Sequence, residues 1–251
     1  MKKQFGKYGL PLDVIFCSKC TRSNQRPHNV GEFNQTSRDK KKYVVLDRKN
    51  HICDACKFYE YKKKIDWPDR EKELIELCNK HRKKDGNFDV IVPGSGGKDS
   101  ILVAHQLKEK YGMHPLLITW SPNMMTDIGK RNFDAWLNLG MPNFMFHQNQ
   151  KIHRLLTKLA FLNLVHPFQP FIIGQKNLAP KLADSFNINF VMFGEHDAEF
   201  GMKMERKNDP KMDKEFFTSK KNYKDLFISG VKVSDLMQKY KLSKFDLNSY
   251  L

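Results

Sequence analysis

The sequence predicts an α/β fold with a parallel sheet, preceded by a small cysteine-rich module. Three observations carry this. From residue 88 onward, short β-branched runs alternate with segments of helical spacing, which is the pattern of βαβ units. A glycine-rich turn joins the first of those runs to the first of those helices. Before residue 67, two Cys-x-x-Cys pairs stand in a stretch with no sustained hydrophobic period. The expected division is a four-cysteine, zinc-ribbon-like metal-binding module over 1–66 and an α/β domain over 67–251.

The elements follow in order. Tyr43-Val44-Val45-Leu46 has the composition of a short strand. Trp67-Pro68 suits a helix start, and the spacing predicts a helix over 70–84 with Leu74, Ile75 and Leu77 on one face. Cys78 falls on that helix and is expected to be buried filler. Phe88 to Val92 is a strand bounded by Gly86 and Pro93, Lys98 to Tyr111 is helical, and Gly112 stops it. Pro115 to Trp120 is a second strand, Thr126 to Leu139 a helix and Asn143 to Phe146 a third strand. Lys151 to Val165 and Gln175 to Phe186 are helices, and Ile188 to Phe193 is a fourth strand ending at Gly194-Glu195. Beyond residue 200 the chain is rich in Lys, Asp and Met, with a last helix over 231–240 and no evident closing element.

Composition bounds the class. The 251 residues are 40% apolar, enough for one α/β domain plus an appendage and too apolar for global disorder. No apolar run reaches the roughly 18–20 residues of a membrane span. The basic N-terminus lacks the apolar stretch of a signal peptide, so a cytoplasmic location is expected. Lys and Arg number 44 against 28 Asp and Glu, a net charge of +16, which suits an anionic partner as well as a solvated basic surface.

The strongest chemical motif is Ser95-Gly96-Gly97-Lys98-Asp99-Ser100, placed where a parallel strand hands over to a helix. Open α/β sheets bind ligands at that carboxyl edge. Glycines allow a tight turn and close approach, and the helix start offers N–H groups and a positive dipole end to an anion. Lys98 adds charge, while Ser95 and Ser100 add hydroxyl donors. Asp99 suits Mg²⁺ held beside phosphates, or orientation of the loop. Asp99 also separates the motif from a Walker A loop, where Ser or Thr follows the Lys directly.

Cys17-x-x-Cys20 and Cys53-x-x-Cys56 are separated by 32 residues. Two such pairs supply four thiolates to one tetrahedral Zn²⁺. A redox Cys-x-x-Cys and an iron–sulfur cluster are the competing uses. His28 and His51 are surplus to a complete four-cysteine set and are expected to be non-ligands.

The loop resembles the Ser-Gly-Gly-x-Asp-Ser signature of PP-loop ATP pyrophosphatases, which have an adenine-nucleotide alpha hydrolase-like fold. The flanking motifs narrow the resemblance. Cys-x-x-Cys followed by Arg26-Pro27, then Cys53-Asp54-Ala55-Cys56, precedes the loop. His153-Arg154-Leu155-Leu156-Thr157, Pro167-Phe168-Gln169-Pro170-Phe171 with Gly174-Gln175, and Gly194-Glu195 with Glu199-Phe200-Gly201 follow it. This set, over about residues 14–201, is similar to the N-acetyl sugar amidotransferase family of lipopolysaccharide and flagellin-sugar biosynthesis. The resemblance implies that ATP adenylates the acetamido oxygen of an N-acetylated, nucleotide-linked or nonulosonic sugar. Ammonia from a separate glutaminase and synthase pair would then displace AMP to give an acetamidino sugar. It implies Ser95 to Ser100 as the pyrophosphate site, with Lys98, Asp99 and Glu195 as catalytic residues. Gln175, His153, Arg154 and His196 are candidates for nucleotide or substrate contact; His196 stands where the family usually has Asn. Family members usually continue well past this length, so the chain is expected to be truncated at its C-terminus.

Two other classes fit parts of the sequence. A PP-loop tRNA-modifying enzyme, of the thiolation or lysidine type, would use the basic charge and the cysteine module on nucleic acid. Cys78 is the only cysteine outside the knuckles and precedes the first core strand, which argues against sulfur transfer. A non-catalytic nucleotide- or RNA-binding protein is the third class; the intact Lys98-Asp99-Ser100 argues against it.

Overall fold

The computed structural model describes residues 5–6, 9–26, 31–38, 44, 46–195 and 222–251. Its compact units are discontinuous in sequence. One takes Met1–Ile65, Arg154–Pro170 and His196–Phe245, and the other takes Asp66–His153, Phe171–Glu195 and Asp246–Leu251. The single division at 66/67 expected from sequence is thus crossed again by later segments.

The second unit is a mixed α/β structure around a parallel sheet. Strands β1 (Val90–Pro93), β2 (Pro115–Trp120) and β3 (Asn143–Phe146) lie in the order β1-β2-β3, with Val90 beside Pro115 and Leu117 beside Asn143. Val90, Ile91, Val92, Leu117 and Ile118 are all buried, because a parallel sheet is covered on both faces. Helices α2 (Trp67–His81), α3 (Lys98–Glu109) and α4 (Asp127–Leu137) precede and separate these strands. Asp66 accepts from Asp69 N–H at the start of α2, with Pro68 in its first turn. Thr126 accepts from Gly129 N–H at the start of α4. Cys78 is buried among Val90, Leu107, Trp136 and their neighbours, as expected for filler.

The fourth strand is shorter than its sequence suggests. Residues 188–193 run beside β1, but a single parallel bridge, Ile91 to Val191, carries the pairing. Ile91 N–H donates to Phe190 O and Met192 N–H donates to Ile91 O, both at 2.9 Å.

Thr119 fastens this unit internally. Its hydroxyl donates to Gly94 O (2.7 Å) and accepts from Trp136 Nε1 (3.3 Å) and Asn143 Nδ2 (3.2 Å). One buried oxygen therefore joins β2 to the turn after β1, to α4 and to β3.

Helix α5 spans Gln150–Leu164 and α6 spans Gln169–Ser185. The sequence places the start of α6 at Gln175. The helix instead begins six residues earlier and runs through Gly174 and Pro180. Gly174 is buried, and a Cβ there would lie 2.2 Å from the Trp120 ring, so this glycine makes room for an aromatic wall instead of ending a helix. At the chain end, a one-turn helix (Lys244–Leu247) and a 3-10 turn (Asn248–Tyr250) supply a packed segment that the sequence does not signal. Tyr250 is buried there and meets the Trp120 ring edge-on at 5.8 Å.

In the first unit, α1 (Asp54–Lys62) follows the second cysteine pair, a helix without an apolar period to announce it. Val44 and Leu46 lie in no strand, and Tyr43 and Val45 fall outside the described residues. Phe227–Ile228 (β4) and Val231–Lys232 (β5) form a hairpin, so the expected helix over 231–240 begins two residues late, as α7 (Val233–Lys239). Ser229 and Gly230 both take positive φ (59° and 70°), the demand of a tight two-residue turn. Gln169 is buried; its Nε2 donates to Glu32 O (3.0 Å) and its Oε1 accepts from Ser229 N–H (2.9 Å).

Thr119→Val keeps the shape and removes the hydroxyl, leaving one buried and two half-buried groups without this partner. The expected cost is about 2–3 kcal/mol, seen as a lower urea midpoint with unchanged slope. Thr119→Ser should recover most of it.

Candidate functional site

The two cysteine pairs converge. Sγ atoms of Cys17, Cys20, Cys53 and Cys56 all lie within 4.8 Å of one another. Cys17 to Cys56 is 3.9 Å and Cys20 to Cys53 is 3.8 Å. A tetrahedral metal with sulfur ligands at about 2.3 Å sets its sulfurs about 3.8 Å apart, so the cluster can hold a metal ion such as zinc.

Backbone geometry builds each half. Cys17 N–H donates to Arg22 O (2.7 Å), closing the first knuckle, and Lys19 and Cys53 N–H groups point at Cys17 Sγ (3.4 and 3.3 Å). Asp47 shapes the approach to the second. Its Oδ1 accepts from Lys49 and Asn50 N–H, and its Oδ2 pairs with Lys57 at 3.0 Å. The Lys57 hydrogen bond, helped by those N–H groups, holds the Asp47 carboxyl at about 2. Its contribution is therefore complete above the ordinary carboxylate range and is lost as pH falls toward 2. Cys53 then caps α1, which delivers Cys56 one turn along.

The electrostatics of the cluster call for a cation. Burial raises the Cys17 thiol, but N–H groups of Cys53, Lys19 and Cys20 outweigh it and hold it at about 6. Burial pushes Cys53 and Cys56 above the ordinary thiol value. One thiolate is thus stabilised by backbone donors, and further thiolates need a positive ion beside them. His51 is exposed and stands outside the set; His28 lies outside the described residues.

The glycine-rich turn lies between β1 and α3. Gly94 N–H donates to Ile118 O (2.9 Å), which anchors its entry to β2. Gly96 has φ +91°, and a Cβ there would lie 2.4 Å from Asn132 O, so its backbone rests directly on α4. Gly97 (φ −70°, ψ 149°) occupies the position before α3 without a side-chain cap. Ser95, Gly97, Lys98 and Asp99 are exposed, Lys98 Nζ meets Asp99 Oδ1 at 2.6 Å, and Ser100 Oγ donates back to Gly97 O (3.0 Å). Exposed to this degree, the ion pair adds little stability. Gly194 reaches the same place from the segment beside β1. Its Cβ would lie 2.9 Å from the Asp99 carbonyl carbon and the Ser100 nitrogen, and Glu195, next in sequence, is exposed.

The remaining candidates separate. His153 is buried; its Nδ1 meets Tyr250 Oη at 2.9 Å, the rings stack 6.0 Å apart, and burial lowers its basicity. That environment suits a neutral packed imidazole and not an anchor for anions. Arg154 is exposed, on a different side of α5. Gln175 is an exposed residue in the interior of α6, not at its start, because Pro170 opens that helix earlier. His196 and Glu199-Phe200-Gly201 lie outside the described residues. Sequence alone does not single out Thr119 and Gly94; a threonine near the end of an otherwise apolar strand, facing a loop glycine, is the signal they offer.

Comparison of the sequence with protein-family models and with curated proteins finds no match.

Purified chain should carry one zinc by elemental analysis, and a chelator should lower its thermal midpoint; Cys53→Ser should lose the metal. In the loop, Gly96→Ala should cost about 1–3 kcal/mol in thermal unfolding, through φ strain and the clash with Asn132. Gly97→Ala, with nothing nearer than 4.0 Å and an ordinary φ, should cost less than about 1 kcal/mol.

Proposed function

We propose that this chain is a PP-loop ATP pyrophosphatase that aminates the acetamido group of an N-acetylated sugar. The observation that supports this most is the turn between β1 and α3. It has a positive-φ glycine pressed on α4, an uncapped helix start, exposed Lys98 and Asp99, and Gly194-Glu195 arriving beside them. An anion held there meets the N–H groups and dipole of α3.

An amide carbon is a poor electrophile because its oxygen leaves badly. Attack of the acetamido oxygen on the α-phosphorus of ATP expels pyrophosphate and converts that oxygen into part of a leaving group. Ammonia then adds to the carbon, AMP departs with the oxygen, and an acetamidino group remains. Ser95 to Ser100 would hold the departing pyrophosphate, with Lys98 offsetting its charge. Asp99 and Glu195 would be the carboxylates that hold Mg²⁺, which neutralises phosphate charge when bound. Catalysis of this kind rests on positioning and charge stabilisation. Zn²⁺ in the four-cysteine cluster is assigned a structural role, since a complete thiolate set has no open position for substrate. The ammonia would come from a glutaminase and synthase pair, which ammonium salts would bypass.

The zinc-loaded chain, given ATP, Mg²⁺, ammonium and a panel of UDP-acetamido sugars, should release AMP and pyrophosphate only when the right sugar is present. Release that depends on tRNA instead would replace this function with RNA modification. Lys98→Ala and Asp99→Ala should each lower turnover at least about 100-fold. Both residues are exposed, so thermal stability should move by no more than about 0.5 kcal/mol.

A further inference from the structure

The positive charge of the chain is concentrated in one segment. Residues 1–65 hold 16 Lys and Arg against 6 Asp and Glu, so ten of the sixteen net charges lie in about a quarter of the sequence. The metal module sets where several of them stand. Its first knuckle closes a short hairpin, in which Asn24 N–H donates to Ile15 O (3.0 Å) and Phe16 bridges Ser23. The knuckle carries Lys19, and Arg22 stands at its exit. Ser18 then fixes the neighbouring turn, its N–H donating to His51 O (3.2 Å) and its Oγ to Asn50 O (2.7 Å). The turn bearing Arg48 and Lys49 is thereby held beside the one bearing Lys19. The acid of that turn, Asp47, is engaged by Lys57 and by backbone N–H groups. Among the described residues, Lys19, Arg22, Arg48 and Lys49 form no ion pair. Four thiolates around a divalent metal bring two net negative charges, and the segment remains strongly cationic after them.

The same hairpin presents apolar side chains to solvent. Leu12, Val14, Ile15 and Phe16 are 58, 56, 39 and 61% exposed. Side chains alternate along an extended segment, so Val14 and Phe16 stand on the face opposite Cys17, whose sulfur joins the cluster. Exposed apolar residues scattered singly are ordinary; four within five positions, next to unpaired cations, mark a contact surface. One acid, Asp13, lies in the run and is outnumbered by those cations.

We propose that this knuckle hairpin docks on an anionic lipid bilayer. Lys19, Arg22, Arg48 and Lys49 meet the headgroups, and Val14 and Phe16 enter the boundary with the acyl chains. An anionic bilayer satisfies both features, charge at its surface and apolar volume beneath it. A single-stranded nucleic acid would take the cations and stack on Phe16, but it offers no apolar volume to Leu12, Val14 and Ile15. The proposal is independent of the ATP chemistry, since the residues involved belong to the cysteine module alone.

The test is flotation of the full, zinc-loaded chain with vesicles of phosphatidylcholine alone or mixed equally with phosphatidylglycerol. Binding to the mixed vesicles, weakened by salt and absent from neutral ones, is the expected result. Val14→Ser with Phe16→Ser should lower vesicle affinity about tenfold or more. Lys19→Glu with Lys49→Glu should do the same. Zinc content and thermal midpoint, measured on each variant, separate loss of docking from loss of the module. No binding to mixed vesicles, equal binding by the folded variants, or salt-sensitive binding of a single-stranded RNA 20-mer without vesicle binding would overturn it.

Discussion

The α/β unit depends on one buried hydroxyl. Thr119 sits near the end of β2, where a wholly apolar strand would leave the Gly94 carbonyl, the Trp136 indole N–H and the Asn143 amide without this partner. By serving all three, it sets the height at which the chain leaves β1 and begins the glycine-rich turn. Gly96 then has little freedom, because its backbone already rests on Asn132 of α4. The shape of the turn is therefore imposed from below, by the sheet and α4, and its exposed upper side is left to Ser95, Gly97, Lys98 and Asp99. The chemistry proposed for this turn would start from a backbone fixed before a ligand arrives.

The cysteine module solves a different problem. Among its described residues the apolar cluster at the sulfurs is small: Cys17, Val44 and Cys53 form its centre, with Leu46, Ala55 and Cys56 packed against them. Such a core contributes little by itself. Two turns and a helix start are instead brought together by sulfur, and Asp47 orders the turn that precedes the second pair. Removing charge repulsion among clustered thiolates is work that a metal does and that, among the described residues, no neighbouring cationic side chain does.

Much of this was legible from residues alone. The bounds of β2 and β3 match the expected 115–120 and 143–146, because β-branched and aromatic runs between turn residues leave few alternatives. The convergence of the four cysteines was likewise implied by their pairing. What escaped depends on tertiary contact. Gly174 and Gln175 look like a helix boundary until Trp120 is seen to occupy the space a side chain would need. His153 looks like a surface anchor until Tyr250, far along the chain, is found stacked on it. Val231 and Lys232 have helical company in sequence but pair with Phe227 and Ile228 across a turn. In each case the deciding partner lies outside any local window.

Helix α6 also bears on the order in which the chain takes shape. It carries Gly174 and Pro180 in its interior, and interior glycine and proline cost a free helix about 1 and 3 kcal/mol respectively. The segment by itself is therefore a poor helix. In the protein its Gly174 packs against the Trp120 ring, and that contact supplies what coiling by itself does not. Synthesis releases β2 well ahead of α6, so the ribosome delivers the template before the segment that needs it.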